Sequence, residues 1–478
     1  MNKKIQIKIK KREINPKEIP HGILSRPFID YCFLEDEGYS EEEIKILFQA
    51  VAYHHNREME FTKDELEQEI KLLKKEFDNF IYEPIKNMRF LDDFIEPQFF
   101  VLNERTYGDN EYFLDYIKIK GLLNRLDYAA SGSIEVETKN DFLKKGLENF
   151  YNKNLKPKSY DWNELQKFMR DNSDENIVAV AQTGMGKTEA GLLWIGDNKG
   201  FFTLPLKSAI NEIYRRVVEE IAGKENKEKV GLLHSDTYSK YLENKNENDD
   251  IEEYYNKTRQ LSLPLTICTL DQIFDFVFRY KDFEPKLATL AYSKVIIDEV
   301  QMYSSDLLAY LILGLYYIDK IGGKFAILTA TLPEIVTDLM KKEKIEFIFG
   351  DKPYIDNKVK RHSMKVVETQ IDSKLIASMY KNNKILVICN TVKKAQEIYQ
   401  ELIQNDELNI DKSNIKMLHS KFIKKHRKQK EKEIMEIGKL TSDKSEIWVA
   451  TQVVEASLDI DFDLLFTELS DINGLFQR

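Results

Sequence analysis

The residues best suited to chemistry lie in AQTGMGKT, a glycine-containing stretch at residues 181–188. Small residues let successive backbone N–H groups converge on an anion where a helix begins. A following Lys for the phosphates and a hydroxyl group for Mg²⁺ complete a site for a nucleoside triphosphate. Lys187 and Thr188 fill these two roles, Ala181 stands where the usual pattern has Gly, and a chance glycine-rich turn is the alternative. The predicted ATP-binding residues here are Ala181, Gln182, Thr183, Gly184, Met185, Gly186, Lys187 and Thr188.

A second candidate is a pair of adjacent carboxylates in IIDEVQ, residues 296–301, where they follow an apolar run. Nucleotide hydrolysis needs one acid near Mg²⁺ and another that activates water. Asp298 is expected to hold Mg²⁺ through water, and Glu299 to activate the attacking water. A solvated strand end is the alternative. The catalytic interpretation is favoured because open α/β sheets bind ligands at the carboxyl ends of their strands.

Three of the seven histidines fall near the start of the chain, at His21, His54 and His55, and GLLNRLDYAASG supplies Asp127. Neutral imidazoles and a carboxylate are suitable ligands for a divalent transition metal that activates water. On residue types alone, core or surface histidines are the favoured interpretation. We expect the four side chains to meet in space, because helices of an all-α domain can bring distant ligands onto one inner face.

The elements that must position these residues change character along the chain. In the N-terminal third, Ser40 and Glu43 have capping-box spacing before apolar residues at helical period, which predicts a helix that runs into His54-His55. A second helix is predicted over 112–130. After Trp162, short apolar runs separated by helical segments indicate parallel sheets with helices on both faces. The predicted strands are 176–181, 200–206, 263–270, 294–300 and 324–332, then 384–391, 415–419, 446–452 and 463–470.

Composition sets the broad class. A chain of 478 residues with 42% hydrophobic and 32% charged residues is long and apolar enough for about three globular domains. Its net charge of −10 gives no overall footprint for nucleic acid. Three scattered cysteines suit a reducing compartment and argue against a cysteine-based zinc site. With no secretory signal and no apolar run of membrane-spanning length, a cytoplasmic protein without membrane partners is expected.

Together the motifs resemble a superfamily-two helicase with paired RecA-like domains. The nucleotide loop, DEVQ (298–301), LTATLP (328–333) and TQVVEASLDIDFD (451–463) carry this resemblance. Further segments narrow it, over about 160–478, to the helicase core of the CRISPR-associated nuclease-helicase of type I interference. These are TLPLKSAINEIYRR (203–216), GLLHS (231–235), TLDQ (269–272), ICNTVKKAQ (388–396), LHSKF (418–422) and LSDINGLFQR (469–478).

The resemblance implies roles for further residues. Gln166 would read adenine, with a core-helix amide as the alternative, and Asp459 would reach the nucleotide from the second domain. Thr329 and Thr331 would couple hydrolysis to domain motion, and Gln301 stands where the family usually has the His of DEVH. The implied contacts with single-stranded DNA are Thr203, Pro205, Thr269, Asp271, Asn390 and Thr451.

The N-terminal third resembles the HD nuclease domain that this family fuses ahead of its helicase, and with this resemblance a metal site at His21, His54, His55 and Asp127 is the favoured interpretation. The family has an earlier His and a His-Asp dyad, but no His precedes His21. Its second RecA-like domain closes with QRxGRxxR, but the sequence stops at Gln477-Arg478. We therefore expect an incomplete piece of a longer protein, with weak metal binding, little nuclease activity and slow ATP hydrolysis.

The predicted fold is multidomain, with an all-α HD-type domain followed by two tandem RecA-like α/β domains with parallel sheets. The expected boundaries are 1–140 for the HD-type domain, 141–160 for a linker, 161–355 for the first RecA-like domain and 356–478 for the second. The predicted function is an ATP-dependent single-stranded DNA helicase or translocase with a metal-dependent nuclease domain, recruited by a CRISPR RNA-guided surveillance complex. An RNA helicase with a non-nuclease helical domain and an inactive nucleotide-binding fragment are the alternatives.

Overall fold

The structure is a computed structural model. It describes residues 19–55, 61–78, 80, 89–91, 112–243, 250–350, 352–356, 363–405, 410–439, 441–454 and 460–470. The predicted nucleotide contact Asp459 and the terminal pair Gln477-Arg478 lie outside these residues. Within them, no helix is both long and apolar enough to cross a membrane.

Every regular element described before residue 177 is helical. The α-helices of this part are α1 His21–Leu24, α2 Tyr31–Asp36, α3 Glu41–Ala52, α4 Lys63–Phe77, α5 Phe113–Gly132, α6 Leu143–Phe150 and α7 Glu164–Asp171. The predicted start of α3 is confirmed, because Glu43 N donates to Ser40 Oγ (3.3 Å) while Ser40 N donates to Glu43 Oε2 (2.8 Å). Helix α3 ends just before His54, as the sequence predicts.

A parallel sheet of seven described strands follows. Its order is β3-β4-β2-β5-β6-β1-β7, and all its pairings are parallel. The strands are β1 Ile177–Val180, β2 Lys199–Thr203, β3 Val230–Leu233, β4 Leu265–Cys268, β5 Ser293–Asp298, β6 Lys324–Thr329 and β7 Ile348–Phe349. Most of these strands are buried along their whole length, because helices cover both faces of a parallel sheet.

The α-helices connecting these strands are α8 Lys187–Ile195, α9 Lys207–Arg216, α10 Thr237–Glu243, α11 Ile251–Arg259, α12 Leu270–Phe274, α13 Glu284–Leu290, α14 Ser305–Ile321 and α15 Glu334–Lys342.

A second parallel sheet has four described strands in the order β11-β8-β10-β9. Its strands are β8 Ile385–Cys389, β9 Ile415–Leu418, β10 Ile447–Thr451 and β11 Leu464–Thr467. Its α-helices are α16 Ser373–Met379, α17 Val392–Gln404 and α18 Lys424–Ile437. The expectation of two tandem α/β units with parallel sheets is confirmed.

The first half of the segment 141–160, expected to be a linker, contains the packed helix α6 (Leu143–Phe150) instead. Phe142, Leu143 and Leu147 are buried in one core cluster with Trp194 and Ile221 of the first α/β unit. Gly146 lies so close to this unit that a Cβ atom there would be 2.2 Å from Ile221 O. Residues 141–150 therefore belong to the first α/β unit.

The N-terminal helices also share a core with the first sheet. Ile46 of α3 and Phe113, Tyr116 and Ile117 of α5 lie in one buried cluster with Leu287 of α13. The same cluster includes residues of β5 and β6. Helices α3 and α5 are therefore packed onto the first α/β unit, while other residues of α3 lie in two small clusters of N-terminal residues, one with Ile44 and Phe48 and one with Ala52.

Candidate nucleotide and metal sites

The phosphate loop connects β1 to α8. Two of its glycines adopt left-handed backbone conformations, with φ of 83° at Gly184 and 70° at Gly186. Such conformations favour glycine. Gly186 also has no room for a side chain, because a Cβ atom would lie 2.4 Å from Gln166 Nε2. Helix α8 begins with Lys187 and Thr188, so the backbone amides at its start and both side chains lie at the same end of the helix.

Asn163 and Gln166, at the start of α7, hold the end of this loop. Asn163 Nδ2 donates to Met185 O (2.8 Å), and Gln166 Nε2 donates to Gly186 O (3.4 Å). The two side chains also cap α7 reciprocally. Gln166 is buried, so its amide is used inside the protein, and adenine recognition by this residue stays a prediction. Asn163 is not among the residues predicted from the sequence, although its capping-box spacing to Gln166 indicates a role at the start of this helix.

Gln182 joins the loop to the chain that leaves the first sheet. Its backbone N donates to Tyr354 O (2.9 Å), and its side-chain Oε1 accepts from Asp356 N (3.1 Å). Tyr354 N in turn donates to Val180 O (2.8 Å). The beginning of the loop is thus fixed by the segment that leads towards the second sheet.

The predicted acids face the loop lysine from the end of β5. Lys187 Nζ lies 2.5 Å from Glu299 Oε1 and 3.8 Å from Asp298 Oδ1. Burial raises the pKa of Asp298 to about 7, although the nearby Lys187 ammonium acts in the opposite direction. Glu299 has a φ of 53°, which is unusual for a residue other than Gly and is frequent at functional sites. The structure therefore brings together the cation and both carboxylates that the sequence predicts.

Gln301 connects these acids to the TAT segment. Its Nε2 donates to Glu299 Oε2 (2.5 Å), and its Oε1 accepts from the Thr329 hydroxyl. Thr331 N donates to Thr329 Oγ1 (3.1 Å). A continuous series of hydrogen bonds therefore runs from Lys187 through Glu299 and Gln301 to Thr329. The amide that replaces the usual His still makes the connection.

The predicted nucleic-acid contacts lie at the carboxyl ends of their strands, with different exposure. Asp271 and Asn390 are exposed, Pro205 is half-buried, and Thr269 and Thr451 are buried. The Thr203 side chain is completely buried, and its hydroxyl donates to Ile296 O (2.8 Å). This placement argues against direct contact between the Thr203 side chain and a DNA strand, because the side chain is not exposed and its hydroxyl is bonded to a main-chain carbonyl of β5.

The four predicted metal ligands converge. One ligand atom from each of His21, His54, His55 and Asp127 lies within 4.8 Å of all the others. His21 Nε2 and His54 Nε2 are 3.0 Å apart, and His55 Nε2 is 3.5 Å from Asp127 Oδ2. His54 Nδ1 is 2.7 Å from Val51 O and must donate to it, which leaves the Nε2 lone pair for a ligand. The donor set therefore fits a divalent transition metal.

Comparison with known proteins gives two family matches. The model of the DEAD/DEAH box helicases matches residues 163–339. The model described as CRISPR-associated nuclease/helicase Cas3, C-terminal, matches residues 381–478. The two matched ranges contain the first and the second parallel sheet respectively, apart from the short strand β7.

Curated relatives point the same way. The CRISPR-associated nuclease/helicase Cas3 of Methanothermobacter thermautotrophicus is 26% identical over 416 residues, which cover 81% of this chain and 48% of the relative. A putative Cas3 of Methanocaldococcus jannaschii is 28% identical over 345 residues, 67% of this chain and 46% of the relative. The chain spans about half the length of the curated relatives it matches.

Solved structures show the same fold. The crystal structure of T. fusca Cas3 with ATP superposes with a TM-score of 0.65 at 18% identity, over 97% of this chain and 62% of that one. A chain of a CRISPR RNA-guided surveillance complex in a pre-nicking state gives a TM-score of 0.58 at 18% identity, over 98% and 60% of the two chains. With its phosphate loop, paired acids and two parallel sheets, the chain is similar in sequence and fold to the CRISPR-associated nuclease-helicases, as its motifs predict.

Proposed function

We propose that the chain is an ATP-dependent translocase or helicase of single-stranded DNA in CRISPR interference. The observation that carries this proposal is the approach of Lys187 to Asp298 and Glu299 at the carboxyl edge of a parallel sheet. Lys187 and Thr188 would hold the phosphates and Mg²⁺, and Glu299 would orient the attacking water. Lys187 would leave Glu299 when it binds a phosphate, so the carboxylate would then be held by Gln301.

The nucleic acid and the partner are inferred from the relatives. The curated relatives are named as CRISPR-associated nuclease-helicases, and one structural neighbour is a CRISPR RNA-guided surveillance complex. We therefore infer single-stranded DNA as the substrate and such a complex as the recruiting partner. The exposed Asp271 and Asn390 and the adjoining backbone would line the path of the strand. The remaining domain boundaries and a cytoplasmic location stay predictions from the sequence.

Phosphate release with and without single-stranded DNA tests the proposal. Lys187→Ala should abolish ATP binding, and Glu299→Gln should retain binding but lose hydrolysis. Lys144→Ala, which removes an exposed lysine with only a 3.6 Å contact to Asp197, is the control and should behave like the wild type. Tight ATP binding by Lys187→Ala would show that the phosphate site is assigned wrongly. Stimulation by single-stranded RNA but not by DNA would favour the RNA helicase.

A second function, metal-dependent phosphodiester cleavage, is favoured by the convergence of His21, His54, His55 and Asp127. A bound divalent metal would supply a water of lowered pKa for attack on the phosphodiester. His54 would offer its Nε2 lone pair to the metal, because Val51 O fixes the proton on Nδ1. We expect weak Mn²⁺ or Co²⁺ binding that His54→Ala removes and Lys187→Ala leaves unchanged. Equal metal binding by His54→Ala would rule this site out.

A further inference from the structure

Helix α5 carries Asp127 of the metal cluster, and a buried ion pair joins this helix to the first α/β unit. Lys120 Nζ of α5 lies 2.6 Å from Glu284 Oε1, at the start of α13. Both side chains are at most 1% exposed. Lys120 also lies 5.6 Å from the centre of the Tyr116 ring. A fully buried ion pair is very unfavourable to separate, so it strongly restricts how α5 can sit on α13.

Direct backbone contact at the next residue imposes the same restriction. A Cβ atom on Gly121 would be 2.4 Å from Glu284 O and 2.5 Å from Ala288 Cβ. The two helices therefore touch at Gly121 with no space for one additional carbon. The ion pair and the glycine contact fix both the register of α5 along α13 and the separation of the two helices.

A third connection lies close to the metal ligand. Two residues before Asp127, Arg125 donates through Nη2 to Val136 O (2.9 Å) and to Glu137 Oε2 (2.8 Å). Glu137 also contacts Lys199, at the start of β2. Arg125 is 6% exposed. The part of α5 that carries Asp127 is thus attached to the first sheet at the amino end of β2.

The register of α5 decides whether the metal site exists. A slip of one helical turn would move Asp127 by about 5.4 Å. This displacement exceeds the 4.8 Å within which all four ligand atoms lie. Helix α3, which ends just before His54 and His55, packs on α5 through the buried cluster that contains Ile46 and Ile117. The elements that supply His54, His55 and Asp127 are therefore placed relative to α13.

We propose that Lys120, Gly121 and Glu284 are positioning residues of the metal site, so that the first α/β unit is part of the scaffold that assembles it. The inference rests on the proposed metal-dependent function. Its consequence is that the metal cluster and the phosphate loop belong to one rigid unit. Movement of the second sheet during an ATP cycle would then carry a DNA strand past a cleavage site. That site is fixed relative to the first sheet.

A matched pair of glycine substitutions in α5 tests this, read out by Co²⁺ titration and ATP binding of the full chain. Gly121→Ala must push α5 away from α13, whereas a Cβ atom on Gly132 would meet nothing closer than 3.5 Å. Alanine favours helix at both positions, so loss of helix cannot explain a difference. We expect Gly121→Ala to weaken Co²⁺ binding on the order of ten- to a hundredfold, the range for supporting residues of metal sites. Gly132→Ala should bind like the wild type, although Gly132 is nearer to Asp127.

Glu284→Gln provides a second variant if Gly121→Ala fails to fold. It removes the charge from the α/β side without changing the shape, and we expect it to weaken Co²⁺ binding by about tenfold while ATP binding changes by less than about twofold. Co²⁺ binding at wild-type strength by either folded variant would overturn the inference. If the wild-type chain itself fails to bind Co²⁺, the proposed metal site is wrong, and the inference falls with it.

Discussion

Gln301 is the residue whose chemistry distinguishes this nucleotide site. One amide donates to Glu299 and accepts from Thr329, and it does so at every pH because it does not titrate. A histidine could donate to Glu299 and accept from the Thr329 hydroxyl, as Gln301 does, only as the neutral imidazole, because both ring nitrogens of the imidazolium donate. The glutamine therefore makes the connection between the catalytic acid and the TAT segment independent of pH.

We expect Gln301→Glu to retain ATP binding and to lower hydrolysis on the order of ten- to a hundredfold, since a second carboxylate would repel Glu299 and leave it misoriented. For Gln301→His, the ratio of its hydrolysis rate to that of the wild type should fall below pH of about 6.5, where imidazole is protonated. Steady-state phosphate release between about pH 5.5 and 8.5, a range that includes the ordinary pKa of imidazole, measures both effects. A ratio for Gln301→His that does not change with pH would contradict this interpretation.

Among the single elements, the end of strand β3 is sensitive to acid. His234 follows β3 and is buried; its Nδ1 accepts from Asp236 N (3.0 Å), and Nε2 faces Asn211 Oδ1 (3.1 Å). Burial lowers the pKa of His234 to about 4, with Lys207 adding to this effect. The other charged groups that act on it are Asp236, Lys240 and Asp271.

Between pH of about 4 and 6.5, the unfolded chain therefore takes up a proton at this position that the folded chain does not. The free energy of unfolding should decrease as the pH falls through this range, by on the order of 1–2 kcal/mol from His234 between pH 7 and 5. Denaturant unfolding at these two pH values should show a smaller decrease for His234→Gln than for the wild type. The control is His426→Gln, in exposed α18. An equal decrease in His234→Gln and the wild type would refute the assignment.

The capping box of α3 gives a second prediction for an element. Ser40→Ala removes the oxygen that accepts from Glu43 N and should cost about 1 kcal/mol of the free energy of unfolding. Ser40→Gly, which tolerates the cap conformation, should cost only a few tenths. Denaturant unfolding of both variants gives the comparison. If the two substitutions are equally destabilising, the cap does not contribute as the geometry indicates.

The elements show what the sequence could predict. Apolar runs predict nine of the eleven described strands; the exceptions are β3, which lies in the motif GLLHS, and the two-residue β7. The helix at 143–150 was placed in a linker because polar residues follow it, although Phe142, Leu143 and Leu147 pack into the core. The buried orientation of Thr203 could not be predicted, since burial on both faces removes the alternation that shows where each side chain points. The types and the convergence of the metal ligands were predicted, but not the ion pair that places them.

At the scale of the whole molecule, an exposed ion pair among the described residues joins the two sheet-containing units. Lys428 of α18 lies 3.0 Å from both carboxylate oxygens of Glu243, at the end of α10. Both side chains are about half exposed or more, at 61% and 48%. Exposed pairs contribute about 1 kcal/mol or less and are screened by salt. The pair can therefore bias the arrangement of the two units without locking it.

We expect Glu243→Lys to shift the populations of this arrangement by at most about fivefold, and the double exchange Glu243→Lys with Lys428→Glu to restore them. Fluorescence energy transfer between labels on the two units, with the exposed Cys32 replaced by Ser, measures the distance distribution. The difference should disappear at high salt. A distribution that is the same in all variants at low salt would show that the pair has no influence.

The shared core of α5 and the first sheet also has a consequence for synthesis on the ribosome. Phe113, Tyr116 and Ile117 are made early, but their partner Leu287 follows some 170 residues after Ile117. At roughly 5–20 residues per second, this apolar surface waits on the order of 10 to 30 seconds before its partner emerges. During that interval the nascent N-terminal helices expose the kind of surface that chaperones bind and that promotes aggregation. The segment that holds the metal ligands thus completes its folding only after much of the ATP-binding unit has been translated.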